Sequence, residues 1–420
     1  MRLIRKSGHF VLILAGLVGA QALAVEASDS SAAYGELHTL TDYQNRDEKL
    51  GHVSMGALTR GMDGYFDRKD SWTTNTGFNW MVESAPQFQG HVDGGAGSHS
   101  NNETNLIGQW SIVDKADAKR GNLLIWYQFS STWGGQTTTE LMEGLGVISP
   151  PNGGDTHPAS SRDLTQHFAW EQYFANERVR IQVGKLTTRV LFNLNRYAIS
   201  DREDFFTPMI VNNPGAHYTA RVGFGAFGEY KSDNWYVSGM IRDADADLGK
   251  RFIDFDSLST GNWEYVGEFG FTPGDVAGLG AGIYRITVSR SDSTGDALNG
   301  LPSTSSVSFS FDQDVGERVG AFFRFATSND TYRTFDRRIA AGLQLKEPFG
   351  FVNDRIGAGL WWGSPVDPSL RSETGIDLFW KFQIAKFMEI SAGAQLIFDP
   401  AIRTDKDSVT LGQLRLRLIF

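Results

Sequence analysis

The end of the chain carries a pattern with period two. Apolar residues occupy every second position back from the final residue: Leu414, Leu416, Leu418 and Phe420. Successive side chains of a β-strand point to opposite faces, so Arg415 and Arg417 share the other face. The pattern therefore predicts a closing β-strand with one apolar face and one charged face.

A terminal strand of this kind, ending on Phe420, resembles the signal that is read by the outer-membrane barrel assembly machinery. A soluble β-sandwich also contains alternating strands, but ending the chain on such a strand with Phe is unusual for it. We therefore expect the chain to reside in the cell outer membrane of a Gram-negative bacterium and to use that machinery as a partner.

The same alternation recurs along most of the chain and predicts a porin-like, all-β transmembrane antiparallel barrel of about sixteen strands. The predicted strands span residues 73–83, 104–113, 122–131, 164–174, 178–186, 219–230, 234–242, 262–272, 280–289, 304–312, 318–327, 337–346, 354–363, 374–384, 387–398 and 409–420. Aromatic residues on the predicted outward face indicate a girdle in contact with outer-membrane lipids: Trp80, Trp110, Trp263, Trp362, Trp380 and Phe382.

The connections between these strands alternate in length. Short connections follow even-numbered strands, at 175–177, 231–233, 313–317 and 385–386, whereas long ones follow odd-numbered strands, at 84–103, 132–163, 187–218 and 243–261. Bacterial barrels have short periplasmic turns and long outer loops. The alternation favours a barrel over a sandwich and predicts that both termini are periplasmic.

The first 24 residues resemble a secretory signal peptide. Arg2, Arg5 and Lys6 precede the apolar stretch 10–20, and Ala22-Leu23-Ala24 supplies a small-x-small cleavage pattern. Residues 25–72 are polar and acidic without a clear period, and we expect a periplasmic plug, helix or flexible arm there. The barrel is predicted to occupy residues 73–420. The chain has no Cys, and a core of this size needs no disulfide.

The predicted inward face carries many basic residues and fewer acids, although the whole chain has a net charge of -10. Inward charges need partners, but guanidinium groups beside carboxylates can also hydrogen-bond hydroxyl-rich or anionic solutes. Inward aromatic rings could stack on a sugar. The predicted pore-lining or substrate-contacting residues on strands are Arg180, Lys185, Arg221, Glu171, Trp126, Tyr173 and Glu229, and Arg178 is also expected to point inward.

The connection at 187–218 is too long for an ordinary loop. It contains apolar residues mixed with charged ones, including Arg196, Arg202 and Asp204. We expect this segment to fold into the barrel and to form a constriction against the basic wall of strands five and six. An external lid is the alternative.

Three short motifs resemble the carbohydrate-selective (OprB-type) porins. They are Trp170-Glu171-Gln172 to Val183-Gly184-Lys185-Leu186, Phe311-Asp312-Gln313, and Ala394-Gln395 to Phe398-Asp399-Pro400. The resemblance covers roughly residues 160–420. It implies a sixteen-stranded barrel that passes glucose or other saccharides into the periplasm by facilitated diffusion.

Three other functions are compatible with the residues alone. The inward arginines suit a porin for small anions or organic acids, and a plugged lumen would suit a structural or adhesive barrel. An outer-membrane enzyme needs a nucleophile with a positioned His, and no such motif stands out. The sequence predicts no metal, no cofactor and no nucleic-acid partner, and it leaves the choice between a monomer and a homotrimer open.

Overall fold

A computed structural model describes residues 51–52, 56–93, 95–113, 120–153, 161–211, 222–247, 250–294, 302–329 and 334–420. The predicted signal peptide and most of the predicted N-terminal arm lie outside these residues. Among the described residues the fold is a single sheet of sixteen strands that closes into a barrel.

The strands are β1 (Phe78–His91), β2 (Ser98–Val113), β3 (Gly121–Gly135), β4 (Ser161–Phe174), β5 (Val179–Leu186), β6 (Gly223–Lys231), β7 (Trp235–Asp243), β8 (Trp263–Phe271), β9 (Gly282–Ser291), β10 (Thr304–Val315), β11 (Val319–Ser328), β12 (Phe335–Lys346), β13 (Arg355–Pro365), β14 (Glu373–Ala385), β15 (Met388–Phe398) and β16 (Ser408–Ile419). All strands except the eight-residue β5 have the length of about nine residues or more that crosses a bilayer when tilted.

Every strand pairs antiparallel with its neighbours in the chain, and β1 pairs with β16 to close the sheet. At this seam Glu83 lies opposite Ile419 and His91 opposite Leu411. The seam continues past β16, because Val82 and Phe420 exchange both backbone hydrogen bonds, at 2.9 and 2.8 Å. The predicted sixteen-stranded antiparallel barrel is confirmed.

The prediction of a first long loop at 84–103 is wrong. β1 continues to His91 and β2 begins at Ser98, so that the connection spans only residues 92–97. These strand extensions place polar residues such as Gln89 and Asn101 on the inward face, and a run of polar residues resembles a loop when it is read without its partner strands. The long connections after β3, β5 and β7 are present.

A helix precedes the barrel. α1 (Ala57–Thr76) ends at Gly77, whose left-handed backbone (φ 72°) lets its N–H cap the carbonyl of Thr73. The predicted start of the first strand at residue 73 falls inside this helix, and β1 begins at Phe78. None of the helices in the described part of the chain is long and apolar enough to cross a membrane.

The alternation seen in the sequence divides the two faces of the barrel. Charged strand residues on the inward face are buried, among them Arg242, Arg285, Arg338 and Asp377, whereas many apolar residues on the outward face are exposed. Arg178 differs from the prediction, because it lies in the turn before β5 and pairs with exposed Asp233 at 3.2 Å. The inward face is therefore a dense network of paired charges around an interior that is itself filled by loops.

Candidate functional site

The segment after β5 folds into the barrel, as the sequence predicts. It contains the short helix α3 (Pro208–Val211) and is described to residue 211. Its descending part hydrogen-bonds to the inner wall: the Asn193 N–H donates to Glu268 at 2.6 Å, and the Asn195 amide donates to the Ser310 hydroxyl at 3.2 Å. Close to the short turn between β10 and β11, Arg196 pairs with Asp312 at 2.5 Å. We call residues 187–211 the inner segment.

Arg202 anchors the returning part of the inner segment to β1 and β2. Its Nε lies 2.9 Å from Glu83, and its Nη1 lies 2.6 Å from Glu103. Glu83 is shared with Arg417 of β16 at 2.5 Å. Because these groups are buried, each charge depends on its partners for stability. Arg202 also lies 6.0 Å from the ring of Trp126.

The last part of the inner segment packs onto β13–β16. The backbone N–H groups of Phe206 and Thr207 donate to the Asp377 carboxylate at 2.8 and 3.0 Å. Two wall glycines make room for the phenylalanine rings: a Cβ on Gly359 would meet the Phe205 ring at 3.0 Å, and one on Gly393 would meet the Phe206 ring at 3.1 Å. The wall is thus shaped to receive this segment.

A polar recess of about 230 Å³ lies between the inner segment and strands β12–β15. It is near the rim of short turns, which is the periplasmic rim in bacterial barrels. Lys381 pairs with Glu203 across the recess at 3.4 Å, and Gln344 donates to Asp204 at 2.9 Å. The lining groups carry both signs of charge and many hydrogen-bonding atoms, among them Arg196, Glu203, Asp204, Gln344, Lys381 and Glu389.

Arg189 is a residue that the sequence reasoning missed. Its side chain is 30% exposed inside the barrel and lies 3.8 Å from Asp201. Its guanidinium is 5.6 Å from the ring of Trp126, whose indole N–H is fixed by Asn105 at 2.7 Å. Because the Trp126 ring and Asp201 are themselves buried, the accessible part of this cluster is the Arg189 guanidinium, which the ring and the carboxylate hold in place and which offers hydrogen-bond donors. Its position directly after β5, at the start of the segment predicted to fold inward, was the available signal.

The remaining predicted residues form a separate network on the wall. Arg180 pairs with Glu229 at 3.3 Å and with Glu171 at 3.8 Å, and it lies 4.9 Å from the Phe227 ring. Tyr173 packs under Arg120, with 4.6 Å between the guanidinium and the ring.

The expected charged constriction beside strands five and six is therefore not the arrangement found. Arg196, Arg202 and Asp204 contact other walls, on β10, on β1 and β2, and on β12. The inner segment reaches β6 through an aromatic contact instead, with the ring centroids of Phe192 and Phe227 5.6 Å apart. Burial of apolar residues stabilises such a segment most, and here the apolar residues at 190–192 pack against this wall. The charged residues therefore contact the other walls.

Two further predictions have different outcomes. Lys185 lies at the outer end of β5 and donates to the carbonyl oxygens of Lys250 and Phe252, both at 2.9 Å, so it fastens the loop after β7. In that loop, the hydrogen bonds that the Lys250 ammonium donates to the Asp254 and Asp256 carboxylates raise the pKa of Lys250. Arg221 lies outside the described residues.

A second loop covers the opposite end of the lumen. It contains the helix α2 (Thr138–Leu145), whose Thr137 and Glu140 form a reciprocal capping box. Backbone and hydroxyl hydrogen bonds from Thr137 hold the pKa of the Glu140 carboxyl below its ordinary value. Beyond α2 the loop enters the barrel, where the N–H groups of Ile148 and Ser149 donate to Glu373 at 2.9 Å.

A closed sixteen-stranded barrel with a charged interior and an inward-folded loop defines the porin class of outer-membrane channels. The solved structures include close matches to this fold. The high-pH structure of Pseudomonas putida OprB matches with a TM-score of 0.69 and 15% identity, covering 83% of this chain and 96% of that one. The low-pH structure of the same protein matches with a TM-score of 0.54 and 14% identity, covering 86% and 98%.

The family model for carbohydrate-selective porins, the OprB family, matches residues 118–420. The chain therefore belongs to the carbohydrate-selective porin family, and it is a saccharide channel of the outer membrane. The resemblance seen at residues 160–420 is confirmed, and the match begins earlier, near β3. A comparison with curated proteins found no significant match.

Proposed function

We propose that saccharides cross the barrel beside the inner segment, first past Arg189, whose guanidinium rests near the buried Trp126 ring, and then through the polar recess. The proposal rests on which side chains of the inner segment remain partly exposed inside the barrel. Arg189 and Glu203 are 30% and 23% exposed, whereas Asp201 and Arg202 between them are buried. In this proposal the two exposed residues mark the two ends of the route along the segment.

Paired charges suit a neutral, hydroxyl-rich solute. In the recess Lys381 faces Glu203, and Arg417 lies 3.2 Å from Glu203 and 3.1 Å from Glu389. A sugar hydroxyl can donate to one member of such a pair and accept from the other. Contacts of this kind orient a solute without creating a barrier of a single sign, and they must stay weak for the solute to leave. The recess is of the order of one sugar ring in size, which fits glucose or one unit of an oligosaccharide.

The alternative solute class is small anions. It is motivated by the excess of inward arginines, and it predicts strong anion selectivity together with little block of the current by sugar. One chain closes the barrel by itself, so a single copy is sufficient for either function, whether the protein works as a monomer or as a homotrimer.

The test is current through the purified protein in planar bilayers, measured in a salt gradient with and without glucose or maltooligosaccharide. We expect weak ion selectivity and a current that sugar blocks reversibly. Glu203→Gln should weaken the sugar block roughly tenfold with a smaller change in open conductance, because one charge-assisted hydrogen bond is lost. Arg178→Ala, in the exposed turn, is the matched control. A strongly anion-selective current that sugar does not block would refute the proposal.

A further inference from the structure

An apolar groove runs along the outer wall of the barrel beneath α1. Its volume is about 310 Å³, and it is lined by Trp72 of α1 and by Phe78, Trp80, Leu106, Gly108 and Ile125 of β1–β3. These strand residues belong to the outward face, and the groove lies near the ends of β1 and β2 that adjoin the short-turn rim. The groove therefore opens toward the membrane and not toward the lumen.

The helix and one glycine create the groove. The Trp72 ring stands edge-on to Trp80 with centroids 6.4 Å apart, and Trp110 of β2 fixes the end of α1 by donating to the Thr76 carbonyl at 3.1 Å. On the floor, a Cβ at Gly108 would meet the Phe78 ring at 3.2 Å. A larger residue at position 108 would fill the space that these rings enclose.

The rim of the groove carries charges of both signs, because Asp67, Arg68 and Asp70 are exposed on α1 around Lys69. Lys69 is buried with its ammonium 5.5 Å from the Trp80 ring, and Arg68 beside it is exposed. Helical spacing places Asp67 on the side of α1 away from Lys69. Asp63, one turn and a half earlier, already pairs with Lys386 at 3.8 Å. An apolar channel with cations at its periplasmic end matches the two parts of a phospholipid.

We infer that the groove holds one acyl chain of a phospholipid of the periplasmic leaflet, with its phosphate beside Lys69 and Arg68. Elsewhere on the barrel wall, an acyl chain contacts the protein on one side only. Under α1, rings on both sides and the glycine floor surround the chain, which buries more apolar surface per methylene group. The bound lipid would also hold α1 against the barrel, because it would cover Trp72, whose side chain is 54% exposed.

The experiment is native mass spectrometry of the purified full chain in detergent, titrated with dioleoylphosphatidylglycerol. We expect one lipid to be retained by the wild type. Gly108→Leu would displace about two methylene groups and should weaken retention roughly tenfold. Trp72→Ala removes a groove wall without touching the barrel and should act in the same direction. Gly228→Leu is the matched control, because Gly228 of β6 has open space around it.

A second comparison tests the phosphate. Dioleoylglycerol has the same acyl chains and no phosphate, so the wild type should retain it less well than the phospholipid, and Lys69→Gln should reduce that difference. Equal lipid retention by wild type and Gly108→Leu would overturn the inference. So would stronger retention after deletion of residues 25–50, since the N-terminal arm would then be the natural occupant of the groove.

Discussion

Replacing Arg202 with alanine should detach the inner segment from β1 and β2 and widen the channel. Arg202 is the residue through which the returning part of the segment binds two buried carboxylates, Glu83 at 2.9 Å and Glu103 at 2.6 Å. Arg202→Ala leaves the barrel strands unchanged and removes only the cation. The change therefore acts on the contact between the segment and the wall.

The size of the effect depends on which partners the two carboxylates keep when Arg202 is removed. Breaking a buried ion pair by removing one partner costs about 3–5 kcal/mol. Glu83 keeps Arg417 at 2.5 Å, and Glu103 keeps a hydrogen bond from Asn105 at 3.1 Å. We therefore expect the lower end, about 3 kcal/mol, which corresponds to a shift of roughly a hundredfold in the equilibrium between docked and undocked segment.

Single-channel recording in planar bilayers measures this shift. Arg202→Ala should show larger or more frequently fluctuating open currents and a weaker block by maltooligosaccharide than the wild type. The matched control is Arg178→Ala, because its ion pair with Asp233 is exposed and such pairs contribute little. If Arg202→Ala assembles normally yet has wild-type conductance and sugar block, the inner segment does not control the passage.

Three further outcomes are expected. Deleting Phe420 removes the two seam hydrogen bonds with β1 and the proposed recognition residue, so the fraction of heat-modifiable barrel in outer-membrane extracts should fall; an unchanged fraction would argue against both roles. Gly359→Val should push Ile210 and Phe205 out of their places on the wall, costing about 1–3 kcal/mol and raising conductance in the same recordings. Because the Glu140 pKa lies below its ordinary value of 4.5, α2 should keep the Glu140 half of its capping box at pH 4.5 and lose it as the pH falls through the lowered pKa; α2 amide protection factors, corrected for the intrinsic pH dependence of exchange, that already fall well above pH 4.5 would contradict this.

The barrel could be predicted from the sequence because its signal is repeated. Each of the strands β14–β16 alternates over more than ten residues, and the loop-length alternation tests the same topology independently. The prediction failed at 84–103, where the inward face is almost wholly polar and includes Gln87, Gln89 and Asn101. Alternation cannot be seen in a strand whose two faces are both polar, and only pairing with neighbouring strands identifies it.

The inner segment shows the limit of sequence reasoning about the site. Its length and mixed composition predict an inward fold, but they carry no information on which wall each side chain reaches. That choice depends on glycines far away in sequence, Gly359 and Gly393, which leave space for Phe205 and Phe206. Arg189 was missed for the same reason: its neighbours Trp126 and Asp201 come from different parts of the chain.

The excess of inward arginines, which suggested an anion pathway, has a structural explanation. Irregular backbone inside a barrel needs partners for its carbonyl groups. Arg415 donates to the carbonyl oxygens of Asp201 and Asp204 at 2.6 and 2.9 Å, and Arg338 donates to that of Pro208 at 3.2 Å. Arg324 donates to the carbonyl of Val211 and, at 3.0 Å, to that of Ala198. These cations are engaged with neutral oxygen atoms of the inner segment, so they hold the segment in place and are not exposed to a passing solute. Under the proposed route, the groups left for the solute are the mixed pairs of the recess and the partly exposed Arg189, and donors and acceptors of both signs favour hydroxyl groups over simple anions.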